Sequence, residues 1–374
     1  MKKIILHIAQ SDGGVSKYLQ MLFKYFNRNE YEQILVCSKQ YAKEENIYRK
    51  LVDKIEFVDM TREINLKLDI KAIYILCKII KKYNPDLIYV HSSKAGALGR
   101  IANFYTRKSI IYNPHGWAFN MNVSKKKKLF YELIERILAK KTDKIVAISN
   151  AEKQSAIKHK ICINDKVKVI FNGIDISEYE NNLIKSSDKE LLNIPENTIV
   201  IGMVGRISRQ KAPDTFVRIA AKIKKIIRNA FFIIVGDGDE KEEIEELIRV
   251  FGLQDSFLIT GWVNDVYTYI KRFDIAMLIS RWEGFGLVIP EYMVSKKPII
   301  ATNVDAIPNL ITNNNEGILI NVDNVEEGVN AILKIVSDNN LVDLITKNAY
   351  CKVKKEFDVK RVAKEHENLI DSIL

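Results

Sequence analysis

The sequence has little that would staple it or anchor it. Its four cysteines, Cys37, Cys77, Cys162 and Cys351, are scattered and form no CxxC pair. That argues against a disulfide frame or a zinc site and for reduced thiols in a cytosol. No apolar run approaches the roughly 20 residues of a membrane span; IYILC at residues 73–77 is typical of the longest. The amino-terminal MKKIILHIAQSDGG starts like a secretory leader, but His7 interrupts the apolar segment and Asp12 follows it. With no small-residue cleavage site, it reads as a first β-strand. There is no low-complexity segment and no short internal repeat, against solenoid architectures. Acidic residues are scarce in one half only. Residues 1–178 hold 33 Lys+Arg against 18 Asp+Glu, and residues 179–374 hold 25 against 29. The whole net charge of +11 therefore belongs to the first half, which suggests either an anionic partner or solubility alone.

What is present is alternation. At 374 residues two domains are expected. In the first half, KKIILHIA, EQILVCS, DLIYVHSS, SIIYNPHG and DKIVAIS read as strands. Between them lie helical patterns, one with Tyr18, Leu19, Leu22, Phe23 and Phe26 on a common face, another ending before Pro85. Such βα alternation predicts a parallel sheet with helices on both faces. A polar stretch at residues 180–197 reads as a linker. The alternation then restarts with TIVIGMVG, a helix from Pro213, AFFIIVG, a helix at 239–251, SFLITG, DIAMLIS, a helix near 287–296, PIIAT and EGILI, with two helices after them.

Ligands of open parallel sheets bind at the carboxyl ends of strands, and five post-strand loops carry unusual residues. Gly13 and Gly14 precede the first helix, where backbone can approach a phosphate; a ligand-free turn is the alternative, since the third glycine of a dinucleotide fingerprint is missing. His115 follows a strand in IIYNPHGWAF. Arg206 and Lys211 precede the helix at Pro213 and suit a diphosphate, or are two solvated charges. Asp237-Gly238-Asp239 has the spacing of a metal-binding DxD, but begins an acidic helix, so N-capping accounts for it. Last, SRWEGFGLVIPEYM at residues 280–293 places Glu283 in a loop and Glu291 about a turn into a helix. The amides of Gly286 to Val288 lie near that helix's N-terminus.

With these loops in order, the chain resembles the retaining glycosyltransferases of family 4. The most specific element is E-x7-E, Glu283 to Glu291, supported by the GG loop, His115-Gly116, Arg206 with Lys211, the GDG turn and Gly261-Trp262. HSSKAGALGR at residues 91–100, with NPHGWAF, resembles the subset that builds bacterial capsule, exopolysaccharide or O-antigen units. Asp239 departs from the proline common in the family. The resemblance implies a GT-B fold, two Rossmann-like doubly wound α/β domains facing across a deep cleft. Residues 1–178, joined by a C-terminal helix at about 359–374, would form the acceptor-side domain. Residues 179–358 would bind the nucleotide-sugar. By the same resemblance Arg206 and Lys211 grip the donor diphosphate, and Gly14 approaches it from the other domain. Glu291 takes the ribose hydroxyls, and Glu283 takes the sugar hydroxyls beside the Phe285 and Gly286 amides. Leu287 and Val288 amides cap the phosphate, Val263 meets the base, and His115 lies near the reacting centre. No metal or other cofactor is expected, because side chains neutralise the phosphates, and the donor is expected to be a UDP-sugar.

Residues 124–141, SKKKKLFYELIERILAKK, bear Leu129, Phe130, Leu133, Ile134, Ile137 and Leu138 behind Lys125, Lys126, Lys127 and Lys128. This suits either an interfacial helix on anionic lipid or a core-facing helix with a solvated lysine cap. With the basic first half it leads to the expectation of a cytoplasmic protein peripheral to the inner face of the plasma membrane, with a polyprenyl diphosphate-linked glycan as acceptor. A non-hydrolysing sugar-nucleotide epimerase of the same architecture is the nearest enzyme alternative. A catalytically inactive glycan-binding subunit is the non-enzymatic one. A glycosidase would need its two carboxylates about 5–5.5 Å apart for retention, with no nucleotide between them. Nucleic-acid binding has only net charge behind it and no recognisable module. The sequence does not fix the oligomeric state.

Overall fold

The structure, a computed structural model, describes residues 2–10, 14–61, 63–121, 123–186, 194 and 197–374. Gly13 and half of the expected linker lie outside the described residues; residues 180–185 of that stretch instead end the helix Ile176–Lys185. The chain divides into two compact units, Met1–Asn172 with Val359–Leu374, and Gly173–Asp358.

The first unit is built on seven parallel strands in the order β3-β2-β1-β4-β5-β6-β7. They are β1 Lys3–Ala9, β2 Tyr31–Cys37, β3 Lys54–Phe57, β4 Leu87–His91, β5 Ser109–Asn113, β6 Lys144–Ala147 and β7 Val167–Val169. The central strands are buried on both faces, so they read as unbroken apolar runs, as parallel strands do. One face packs Leu6, Ile8, Ile88 and Val90 beneath the helices Leu66–Tyr83 and Ser93–Thr106. The other packs Ile5, Leu35 and Tyr89 against the helices Gly14–Tyr25 and Val359–Asp371. The helix before Pro85 ends on Asn84, held left-handed at φ 44°, because proline disfavours an α-helical residue ahead of it. Two strands go beyond the sequence reading. β3 (KIEF) and β7 (VKV) are short edge strands whose charged residues dilute the apolar signal.

The second unit holds six parallel strands in the order β10-β9-β8-β11-β12-β13: β8 Ile199–Val204, β9 Ala230–Val235, β10 Phe257–Ile259, β11 Ile275–Leu278, β12 Ile299–Thr302 and β13 Ile318–Ile320. Three helices follow, where two were expected: Val325–Ser337, Asn339–Glu356 and Val359–Asp371. Asp338 separates the first two by capping the Leu341 N–H at 2.9 Å. The units divide after Asn172, ahead of the 178 boundary read from sequence. The helix Ile176–Lys185 packs on the second unit, with the Tyr179 ring 4.7 Å from that of Tyr267.

Each sheet reverses its winding once, between β1 and β4 and between β8 and β11. These reversal points leave crevices at the carboxyl ends of the strands.

Candidate functional site

In the second unit, the loops after β8, β9 and β10 are laced together. Ile207 N–H donates to the Asp237 carbonyl at 2.9 Å, and Gly236 bridges Gly261. Contact is so close that a Cβ on Gly238 would lie 2.1 Å from the Ile207 carbonyl oxygen, which is why the GDG turn tolerates no side chain there. N-capping does not explain this turn. The helix Lys241–Val250 is capped by Glu240, without a side-chain bond. Asp237 instead accepts from the Gly238 N–H at 2.8 Å and faces Lys241 at 3.7 Å.

The β8 and β11 loops supply the charged groups. Lys211 forms an ion pair with Glu283. The Glu283 carboxylate also accepts from Ser280 Oγ at 3.1 Å, and its backbone N–H donates to Asp305 Oδ2 at 2.9 Å. Arg281 clamps the base of the loop onto Asp214 and Asp323 at 2.8–2.9 Å. The Arg281 N–H donates to the Gln210 carbonyl at 2.8 Å, so the Lys211 and Glu283 segments are fixed to each other. Glu283 and Glu291 are both buried, 9% and 6% exposed. A buried carboxylate is costly unless partnered, and Glu283 has its partners in Lys211 and Ser280. Gly286 sits at φ 82°, turning the chain into the helix Val288–Val294. That helix is pinned by Tyr292, whose hydroxyl accepts from the Val204 N–H at 2.8 Å. Phe285 anchors the loop inward, its ring 5.8 Å from Phe357. Leu287 and Val288 are half-buried, as is Val263 beside the exposed Trp262. Arg206 is exposed. The structure thus brings Lys211, Glu283 and the Phe285–Glu291 segment together.

In the first unit, His115 stands just past β5 at φ 51°, a conformation costing of order 1–3 kcal/mol for a non-glycine residue. Its N–H donates to Asn113 Oδ1 at 3.0 Å, and the next N–H, of Gly116, donates to Glu152 Oε1 at 2.7 Å. Glu152 also takes the Ile148 N–H at 2.6 Å, yet burial pushes its carboxyl up to about 7. Sequence reading missed what lies behind His115. Gln33 Oε1 contacts His7 Nε2 at 2.7 Å, His7 Nδ1 contacts His91 Nε2 at 3.1 Å, and His91 Nδ1 contacts His115 Nε2 at 3.2 Å. If Gln33 accepts, His7 carries its proton on Nε2, and the relay dictates the same tautomer for His91 and His115. His115 Nδ1 is then an acceptor. Burial pushes the imidazoles of His7 and His115 down to about 3, so the relay is neutral at physiological pH. The signal in the sequence was His7 and His91 near the ends of strands one and four, which alternation places side by side.

A cavity of about 1020 Å³ opens in this unit beside His115, among the helices Leu66–Tyr83, Ser93–Thr106 and Lys125–Ala139. The lysine-rich helix leaves most of its apolar stripe exposed, against the core-facing alternative. Leu138 is buried and Ile134 half-buried, but Leu129, Phe130, Leu133 and Ile137 are each about half exposed or more. Its inward positions include Glu132 and Glu135, held by Arg136 at 2.9 Å and Arg100 at 2.8 Å. Lys125, Lys126 and Lys127 are exposed and Lys128 half-buried. Among the described residues no helix is long and apolar enough to cross a membrane.

Two parallel α/β units, the second with a cation and a buried carboxylate paired at its reversal point, have the architecture of the GT-B glycosyltransferases. The chain belongs to that family: residues 12–178 match Glycosyltransferase Family 4, and residues 184–352 match Glycosyl transferases group 1. It is 32% identical, over 84% of its length and 83% of the relative's, to an Escherichia coli protein named UDP-Gal:alpha-D-GlcNAc-diphosphoundecaprenol alpha-1,3-galactosyltransferase. It is 25% identical, over 85% of its length and 84% of the relative's, to the Staphylococcus aureus capsular polysaccharide biosynthesis glycosyltransferase CapM. Among solved structures, Anabaena HepE in complex with UDP superposes with a TM-score of 0.83 at 23% identity, over all of both chains.

Proposed function

We propose that this glycosyltransferase moves a sugar from a UDP-sugar to a polyprenyl diphosphate-linked saccharide in cell-surface polysaccharide synthesis, retaining anomeric configuration and needing no metal. The Lys211–Glu283 pair in the rigid β8/β11 loops carries the reading. A cation held at a buried carboxylate, beside the start of the helix Val288–Val294, suits a glycosyl diphosphate. Arg206 and Lys211 meet the diphosphate. Phe285 and Gly286 amides flank Glu283 on the sugar, and Leu287 and Val288 amides cap the phosphate. Glu291 takes the ribose and Val263 lies at the base. The lipid-linked acceptor follows from the likeness to the Escherichia coli relative. A peripheral place on the cytoplasmic face of the membrane is supported by the exposed apolar side chains and lysines of the Lys125–Ala139 helix.

The chemistry demands charge handling. As the bond from the anomeric carbon to the phosphate oxygen breaks, the ring becomes oxocarbenium-like and the diphosphate gains charge, which Arg206 and Lys211 stabilise where it develops. The acceptor oxygen bonds the anomeric carbon from the same face, and its proton passes to the departing phosphate oxygen. In a thermal-shift screen of UDP-, GDP- and dTDP-sugars with EDTA present, the UDP form is expected to stabilise the protein. Ligand at 100 times its Kd adds about 2.7 kcal/mol. Glu291→Ala is expected to remove most of that shift. Activity is expected to survive EDTA. Full dependence on added Mg²⁺ or Mn²⁺ would overturn the metal-free role of the two cations.

A further inference from the structure

We propose that the cavity of the first unit is the binding groove for the lipid end of the acceptor. The hydrocarbon would lie between the helices Leu66–Tyr83, Ser93–Thr106 and Lys125–Ala139, and the diphosphate would sit at the start of the Ser93–Thr106 helix. The inference rests on the proposed function for the kind of acceptor, and on the groove itself for its location.

Most of the cavity wall is apolar, and the rim is apolar too. Leu66, Ile70, Phe104, Phe130 and Ile137 all line it while remaining 42–74% exposed. Side chains of this size left in water around one opening mark a surface that something apolar covers. The polar residues in the wall are Gln10, Ser92, Ser93, Lys94 and His115, together with the acidic Glu63, Asp69 and Glu135. The 14-residue helix Ser93–Thr106 starts there, and its N-cap residue makes no side-chain bond to the first-turn amides. Those amides are ones a helix cannot satisfy internally, and they favour an anion.

Ser92 points to a ligand independently. It is 6% exposed, lines the cavity, and its hydroxyl has no hydrogen-bond partner among the described residues. It is also held at φ 70°, a strained position for serine. A buried hydroxyl left unpaired costs about 1–3 kcal/mol, and a phosphate oxygen would pair it. Lys94 Nζ sits nearby, positioned by Asp69 at 2.6 Å and the Glu63 carbonyl at 2.9 Å. Asp69 holds the lysine, offsets its charge and keeps its Oδ1 buried without a partner among the described residues, so the amides and Ser92, more than net positive charge, would meet the phosphate. An apolar groove with an uncapped helix start and an unpaired hydroxyl in its wall fits a polyprenyl diphosphate. The sugar it carries would extend towards His115, whose tautomer the histidine relay sets.

Farnesyl diphosphate, alone and without donor or saccharide, is the probe, with farnesol, inorganic diphosphate and UDP as parallel arms in titration calorimetry on the full chain. Farnesyl diphosphate is expected to bind at least 10-fold tighter than farnesol or diphosphate, with UDP binding independently of it. Ser92→Ala and Lys94→Ala are each expected to weaken farnesyl diphosphate by 5-fold or more while leaving farnesol unchanged. Phe104→Glu, at an exposed rim position, is expected to weaken both by 10-fold or more. Competition by UDP, with indifference to all three substitutions, would overturn the groove and place the anion in the donor site. Groove binding with no UDP binding would instead leave the groove standing and sink the UDP-donor reading.

Discussion

Lowering the pH from 7.5 to 5 is expected to destabilise the first unit by several kcal/mol while leaving the second nearly unchanged. Burial pushes His7, His115 and His366 down to about 3. Burial, reinforced by the neighbouring imidazoles, pushes His91 well below the usual 6.5. The unfolded chain takes up these protons near pH 6.5 and the folded unit does not. Stability is therefore complete above about pH 6.5 and is lost progressively towards pH 3. Each histidine contributes a slope of about 1.4 kcal/mol per pH unit. Glu152 acts in the opposite sense. Its carboxyl, raised to about 7, penalises the folded state above its unfolded value of 4.5, and the penalty is relieved as the pH falls. The net is about three protons, or about 4 kcal/mol per pH unit between 6.5 and 4.5, against a typical domain stability of 5–15 kcal/mol. Urea unfolding at pH 7.5, 6.5 and 5.5 measures this directly. His366→Phe is expected to reduce the slope by about one proton. Equal midpoints at pH 7.5 and 5.5 would refute it.

The second large effect is catalytic. Lys211→Ala is expected to lower kcat by about 10²–10³-fold, the size lost when a group placed on developing charge is removed. Glu283→Ala is expected to cost turnover more than donor affinity. Because the two side chains form one ion pair, their losses should not add. The double variant is expected to be little worse than the poorer single variant, as measured by initial rates with the UDP-sugar selected by thermal shift. A Lys211→Ala enzyme within about twofold of the parent rate would remove Lys211 from the diphosphate.

The sequence made the α/β alternation and the donor loops legible because both have local causes. Apolar runs bounded by glycine and charge locate strands, and strands locate the loops after them. All six strands of the second sheet were readable for that reason. β3 and β7 were not, because charged residues break up their few apolar ones. Lys211 and Glu283 were each visible, but not their pairing, since they are 72 positions apart and meet only through strand order. The lysine-rich helix was legible only in part for a related reason. Its spacing suggests an apolar stripe, yet Glu132 and Glu135 face inward because His159 and Arg100 meet them. A helical period records which residues share a face; the partner supplied by another element decides whether that face is buried. The histidine relay has no local signature at all, because its four members come from three strands and one loop.

The assignment of Val359–Asp371 to the first unit affects the order in which the protein can be built. The second unit is an insertion within the first. The segment that supplies His366 to Tyr18 and Tyr89 is separated from them by the whole of that insertion. During synthesis, the second unit can close as soon as its own residues emerge, whereas the first must wait with the Gly14–Tyr25 side of its sheet uncovered. The inserted unit should therefore be the earlier to fold, although most of its host is translated before it.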